Sequence, residues 1–75
     1  MKVLIQDSVS RLYLGHAGQW TDFAVEARDF SFTAHARSVA RNLNLKSYRV
    51  LFYFADIDYR IVVCDSEQDA NAAAA

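Results

Sequence analysis

Two histidines, His16 and His35, and one cysteine, Cys64, are the strongest potential metal ligands and nucleophiles in this 75-residue chain. Zinc is usually held by three or four protein ligands at tight spacing. The chain has neither a Cys-x-x-Cys nor a His-x-x-x-His arrangement. Asp56 and Asp58 flank Ile57 and could touch a cation, but aspartates in that setting are ordinary turn formers. For nucleophilic catalysis, Asp7, Ser8, Ser10 and His16 cluster in sequence, yet spacing alone does not place them in relay geometry. Cys64 stands beside Asp65 with no adjacent base, and an apolar strand position would raise its pKa. Glu26 and Asp29, three apart, read as a solvated pair. With only two glycines there is no glycine-rich phosphate loop. The spacings therefore predict no catalytic residues, no metal site and no cofactor, and a non-enzymatic protein.

Binding chemistry is better represented. Tyr13, Arg49, Tyr53, Tyr59 and Arg60 combine rings with guanidinium groups. Sheets that bind single-stranded nucleic acid present aromatic rings on an open strand face, flanked by cations. Tyrosine and arginine are equally the residues enriched at protein interfaces. Alternation separates Tyr59 from Arg60, and a net charge of −1, from eight Lys and Arg against nine Asp and Glu, argues against nucleic acid as a partner. A protein interface is the better reading of the set. Trp20, Phe23, Phe30 and Phe32 fall within thirteen residues and read as a plug closing one end of a core rather than as a stacking platform. Arg37 and Arg41, with Arg28 and Lys46 nearby, read as a solvated helix face.

These residues must be positioned by a small set of elements. Lys2–Gln6 and Arg11–Leu14 suit two short strands separated by the turn formers Asp7–Ser10. Both glycines lie in Gly15–Gln19, the expected loop, after which Thr21 or Asp22 can cap a short helical turn over Phe23–Ala27. The main helix is expected to start after Ser31 or Thr33, with Phe30 or Phe32 as a hydrophobic staple. Ala36, Val39, Ala40 and Leu43 recur at helical spacing, and Asn42-Leu43-Asn44 provides the stop. Tyr48–Phe54 and Tyr59–Cys64 then form a hairpin across Ala55–Asp58. Ser66–Ala75 has no large apolar side chain and reads as a frayed acidic and alanine tail or a marginal helix.

The terminal hairpin is apolar on both faces. Strict alternation groups Val50, Phe52 and Phe54 against Leu51 and Tyr53, and Tyr59, Ile61 and Val63 against Val62 and Cys64. One helix covers one sheet face, so the other is predicted to need a partner. A composition 53% hydrophobic and 13% aromatic makes residues 1–65 a folded single domain and adds weight to a buried interface. A lone cysteine excludes an internal disulfide and suits a reducing compartment. The first residues lack the apolar run of a signal peptide, and no segment has the length of a membrane span, so a cytoplasmic protein without membrane partners is expected.

The series Ile5-Gln6-Asp7, Leu12-Tyr13-Leu14, the glycine loop, Gln19-Trp20-Thr21, Glu26-Ala27-Arg28-Asp29-Phe30, Ala36 and Val50-x-Phe52 resembles a group of small, stand-alone bacterial proteins of unknown function. These are proteins of roughly 65 residues, near the lower end of independently folding domains. The resemblance spans Val3 to Val63, and the tryptophan followed by Glu-Ala-x-x-Phe is its most specific part; the Phe54-Ala55-Asp56 region departs from it. It implies a fold and a bacterial origin and assigns no site residues.

The sequence thus predicts an α+β domain: a four-stranded, mainly antiparallel sheet in β-β-α-β-β order with one main helix on one face. Its expected function is a non-enzymatic interaction module that homodimerises through its second sheet face or an exposed edge. Leu51, Tyr53, Val62 and Cys64 would form the interface, with Arg49 and Arg60 at the rim; in the opposite phase, Val50, Phe52, Ile61 and Val63 take their place. The alternatives are a single-stranded nucleic-acid binder using Tyr53, Arg49 and Arg60, and a small regulatory subunit that docks on an unidentified larger protein.

Overall fold

The computed structural model describes residues 1–65; the expectation for the tail lies outside them. The chain is α+β, with a five-stranded antiparallel sheet and a helix. The strands are β1 (Lys2–Asp7), β2 (Tyr13–Leu14), β3 (Trp20–Thr21), β4 (Tyr48–Phe54) and β5 (Tyr59–Asp65), and the helix, α1, is Thr33–Asn42. Spatial order is β3-β2-β1-β4-β5, which puts β1 at the centre and leaves β3 and β5 as edges. The expected four strands become five because Trp20–Thr21 pairs with Tyr13–Leu14. Two residues are too few for alternation to reveal a strand.

Each connection has a local cause. Between β1 and β2 the Asp7 carboxylate accepts hydrogen bonds from Val9 N–H, at 3.0 Å, and from the Ser10 hydroxyl, at 3.1 Å. The Gly15–Gln19 loop closes so tightly that a Cβ on Gly15 would lie 2.9 Å from the Gln19 carbonyl oxygen, which explains the glycine. Thr21 then receives the Phe23 N–H on its hydroxyl oxygen and donates to Glu26, setting the 3₁₀ turn Ala24–Glu26. Neither Thr21 nor Asp22 is the expected cap: the residue flanking the turn is Phe23, which makes no side-chain cap, and Thr21 only orders the approach to it.

The helix begins differently from the expectation. Its first flanking residue is Phe32, which makes no side-chain cap. Phe32 is exposed, while Phe30 is buried in the core, so neither acts as a staple. Order before the helix comes from Asp29, whose carboxylate accepts from Ser31 N–H at 2.9 Å and from Val3 N–H at 3.0 Å. At the other end Asn44 adopts φ 57°, and the N–H groups of Asn44 and Leu45 bond to the carbonyls of Arg41 and Ala40. That pair of bonds is a Schellman stop, and asparagine tolerates its left-handed position.

Over β1, β2 and β4 both sheet faces are covered by the chain itself, while β5 is left largely exposed. On one face α1 lies over β1 and β4 and closes a core of Val3, Ile5, Leu14, Phe30, Ala36, Ala40, Tyr48 and Val50. The alanines on its inner side let the helix approach the sheet closely. On the other face Leu4, Tyr13, Leu51 and Tyr53 pack with Ala24 and Ala27. Lys2 Nζ donates to the Val25 carbonyl at 2.9 Å, and Arg28 N–H bonds to the Leu14 carbonyl, fixing that segment in place. The segment then crosses to the helix side, where Phe30 N–H bonds to the Val3 carbonyl.

Candidate interaction edge

Strand β5 pairs with β4 along its length and has no described strand on its outer side. The hairpin lies where the sequence placed it, with Ala55–Asp58 as the link. Its second strand departs from strict alternation. Phe54, Phe52 and Val50 oppose Tyr59, Ile61 and Cys64, whereas Tyr53, Leu51 and Arg49 oppose Arg60, Val62 and Asp65. The register shifts between Val50 and Leu51, so Val63 is the additional residue of a β-bulge. Cys64 therefore joins the helix side, half-buried against Val50 and its neighbours, and does not share a face with Val62. One inserted residue reverses the facing of everything after it.

The six residues expected at an interface consequently divide. Leu51 and Tyr53 are only 2% and 3% exposed, covered by the Ala24–Ala27 segment, so they are not an open face awaiting a partner. Short 3₁₀ segments carry no period, which is why this cover was not legible. Val62 is 51% exposed. Arg49 pairs with Asp65 across the hairpin at 3.3 Å. Arg60 lies over the buried rings, 5.3 Å from the centroid of Tyr53 and 6.0 Å from that of Tyr13, and its guanidinium meets Asp58 at 3.2 Å.

The Tyr53 hydroxyl also donates to Asp58, at 3.3 Å. Burial first, and the neighbouring carboxylate second, raise the pKa of Tyr53 above the ordinary tyrosine value. A ring buried in this way offers no surface for stacking a base. Tyr59 has the opposite environment: half exposed, tilted against Phe54 with ring centroids 6.4 Å apart. With Tyr59, Ile61 at 41%, Val62 and Val63 at 41% leave β5 with large apolar side chains in solvent on both sides of its free edge. The strand contains neither lysine nor proline, the residues that commonly blunt an edge.

The other chemistry-bearing residues occupy separate places. Asp7 and Ser10 are engaged in their own turn. His35 Nδ1 lies 3.1 Å from the Phe30 carbonyl oxygen, with its ring edge-on to Phe30. Arg28 stacks on Phe30 at 4.8 Å, while Arg37 and Arg41 line a shallow depression with Ala34 and Ser38. Among the described residues no three His, Cys, Asp or Glu side chains converge as a metal site, and no helix is long and apolar enough to span a membrane.

The predicted aromatic plug is reduced to Phe30. Phe23, Phe32 and, to a lesser degree, Trp20 face solvent, because Ala24 and Ala27 take the inward positions of the turn. Sequence reasoning also missed an open cleft of about 320 Å³ lined by Gly15, His16, Gln19, Trp20, Thr21 and Glu26. Its only sequence signal was the cluster of both glycines beside the tryptophan. Comparison with family models, curated proteins and solved structures gives no match.

Proposed function

We propose that this chain is a non-enzymatic interaction module that self-associates through the free edge of β5. The supporting observation is the exposure of Tyr59, Ile61, Val62 and Val63 on an edge strand seven residues long. Among the described strands β5 is an edge, and an edge strand with apolar side chains is the kind of surface that strand addition uses. Of the two routes expected from the sequence, the second face or an edge, burial of Leu51 and Tyr53 favours the edge.

Size-exclusion chromatography with light scattering over a concentration series tests this. The expected result is a dimer that dissociates on dilution and is lost in Val62→Lys, with the variant's circular dichroism unchanged. A native protein that remains monomeric at the highest concentrations overturns the proposal. A second reading, docking on a different protein, draws on the opposite edge, where Trp20, Phe23 and Val25 are exposed around β3. It predicts that Val62→Lys leaves binding to that protein intact while Phe23→Ser abolishes it.

A further inference from the structure

We infer that the partner of β5 is the β5 strand of a second copy, paired antiparallel about a two-fold axis that passes between Val62 and Val63, giving one continuous ten-stranded sheet. This rests on the edge-association reading above and specifies its register. The bulge supplies the reason. Directly opposed residues in an antiparallel pair share a sheet face. In β5, Tyr59, Ile61 and Cys64 stand beside Phe54, Phe52 and Val50 on the helix side, whereas Arg60, Val62 and Asp65 stand beside Tyr53, Leu51 and Arg49 on the other. Centring the two-fold between Val62 and Val63 opposes Ile61 with the second copy's Cys64, both on the helix side. It also opposes Arg60 with the second copy's Asp65, both on the other side.

Registers that step off by one residue or half a residue fail on the same facing pattern. Centring on Val62 opposes Arg60 to Cys64 and Tyr59 to Asp65, each a mismatch of faces. Centring on Val63 opposes Ile61 to Asp65, and centring between Ile61 and Val62 opposes those two residues to each other, again across faces. Two other centres match faces, and both run the pairing into the Ala55–Asp58 loop. Arg60 sets two guanidinium groups directly against one another, and Ile61 sets Arg60 against Val62 and brings Cys64 and Asp65 onto Asp58 and Ile57 of that loop. A bulge often deters edge pairing by twisting the strand away; here it also allows a register in which Ile61 meets Cys64 on one face and Arg60 meets Asp65 on the other.

Charge complementarity points to a second copy rather than an unrelated strand. Arg60 and Asp65 are the two charged residues of β5, and the two-fold opposes each to the other twice. With Arg49 already on Asp65 and Asp58 already on Arg60, the pairing extends these into an alternating row across the sheet. A contact of one strand edge is smaller than the roughly 800 Å² per partner of a standard interface, so the dimer is expected to be weak, with a Kd of about micromolar or above.

Charge reversal tests the register. Arg60→Glu alone and Asp65→Arg alone each place like charges at both symmetry-related contacts and should weaken self-association by about tenfold. An equimolar mixture of the two variants restores both contacts and should form a heterodimer of native affinity in light scattering. Independently, Ile61→Cys places its thiol opposite the second copy's Cys64 and should give a disulfide-linked dimer under mild oxidation, whereas Tyr59→Cys should not. This cross-link decides the matter if a charge reversal unfolds the chain. A native dimer whose mixed variants fail to associate, or that cross-links through Tyr59→Cys and not Ile61→Cys, overturns the register and leaves edge association standing. A monomeric native protein overturns both.

Discussion

Replacing Leu51 with alanine separates a face covered from within the chain from one covered by a partner. Leu51 is 2% exposed and packs with Leu4, Tyr13, Ala24, Ala27 and Tyr53. Truncation removes about three carbon groups at roughly 0.8 kcal/mol each. A residual cavity adds to that, giving a cost of about 3 kcal/mol, within the range for buried leucines. The small alanines above the site sit on a 3₁₀ turn that can settle toward it, which keeps the cost below the top of that range. A domain of 75 residues has roughly 4–11 kcal/mol of stability in total, so the loss is large, equivalent to a fall in Tm of about 10–20 °C. Urea unfolding followed by circular dichroism, at several protein concentrations, measures it. The expected loss is the same at every concentration, because the cover is intramolecular. Val62→Ala, on the same strand pair but exposed, should change monomer stability by less than about 0.5 kcal/mol. A loss below about 1 kcal/mol for Leu51→Ala, or one that appears only at concentrations where the protein dimerises, would refute the intramolecular cover.

Three further outcomes are expected. Val3 and Ser31 N–H hold the Asp29 carboxyl below its usual value, so its contribution is fully present above the unfolded carboxylate pKa near 4 and is lost as pH falls through the lower folded value. Asp29→Asn should therefore be less stable than the native protein at neutral pH, by about 1 kcal/mol at most for so exposed a group, and the gap in thermal unfolding should close toward pH 2. Tyr53, raised above its ordinary value, should ionise above the ordinary tyrosine range in an ultraviolet pH titration. Its folded state holds the proton, so stability is present below the ordinary tyrosine pKa and declines as pH rises above it; Tyr53→Phe should remove that high-pH component. Asn44, at φ 57°, should lose about 1 kcal/mol on replacement by alanine and none on replacement by glycine, read from thermal unfolding.

The sequence by itself determined the elements whose signals are local and long. The hairpin limits, the four-residue link, the inner helix positions Ala36 and Ala40 and the asparagine stop all follow from periodicity or a backbone preference that a few neighbouring residues express. The association of Thr21 with the following turn was legible for the same reason. Tertiary structure alone decided the rest. Whether Leu51 and Tyr53 face a partner or their own chain depends on Ala24 and Ala27, more than twenty residues away and without a period of their own. The face on which Cys64 lies depends on one bulge, since a period of two loses its phase when a residue is inserted. Phe30 is buried while Phe32 is exposed because the segment has crossed to the helix side by Phe30, held on the first strand by Asp29, and Phe32 then flanks the start of the helix. Amphipathic pattern states which residues are apolar; only packing states which of them find cover.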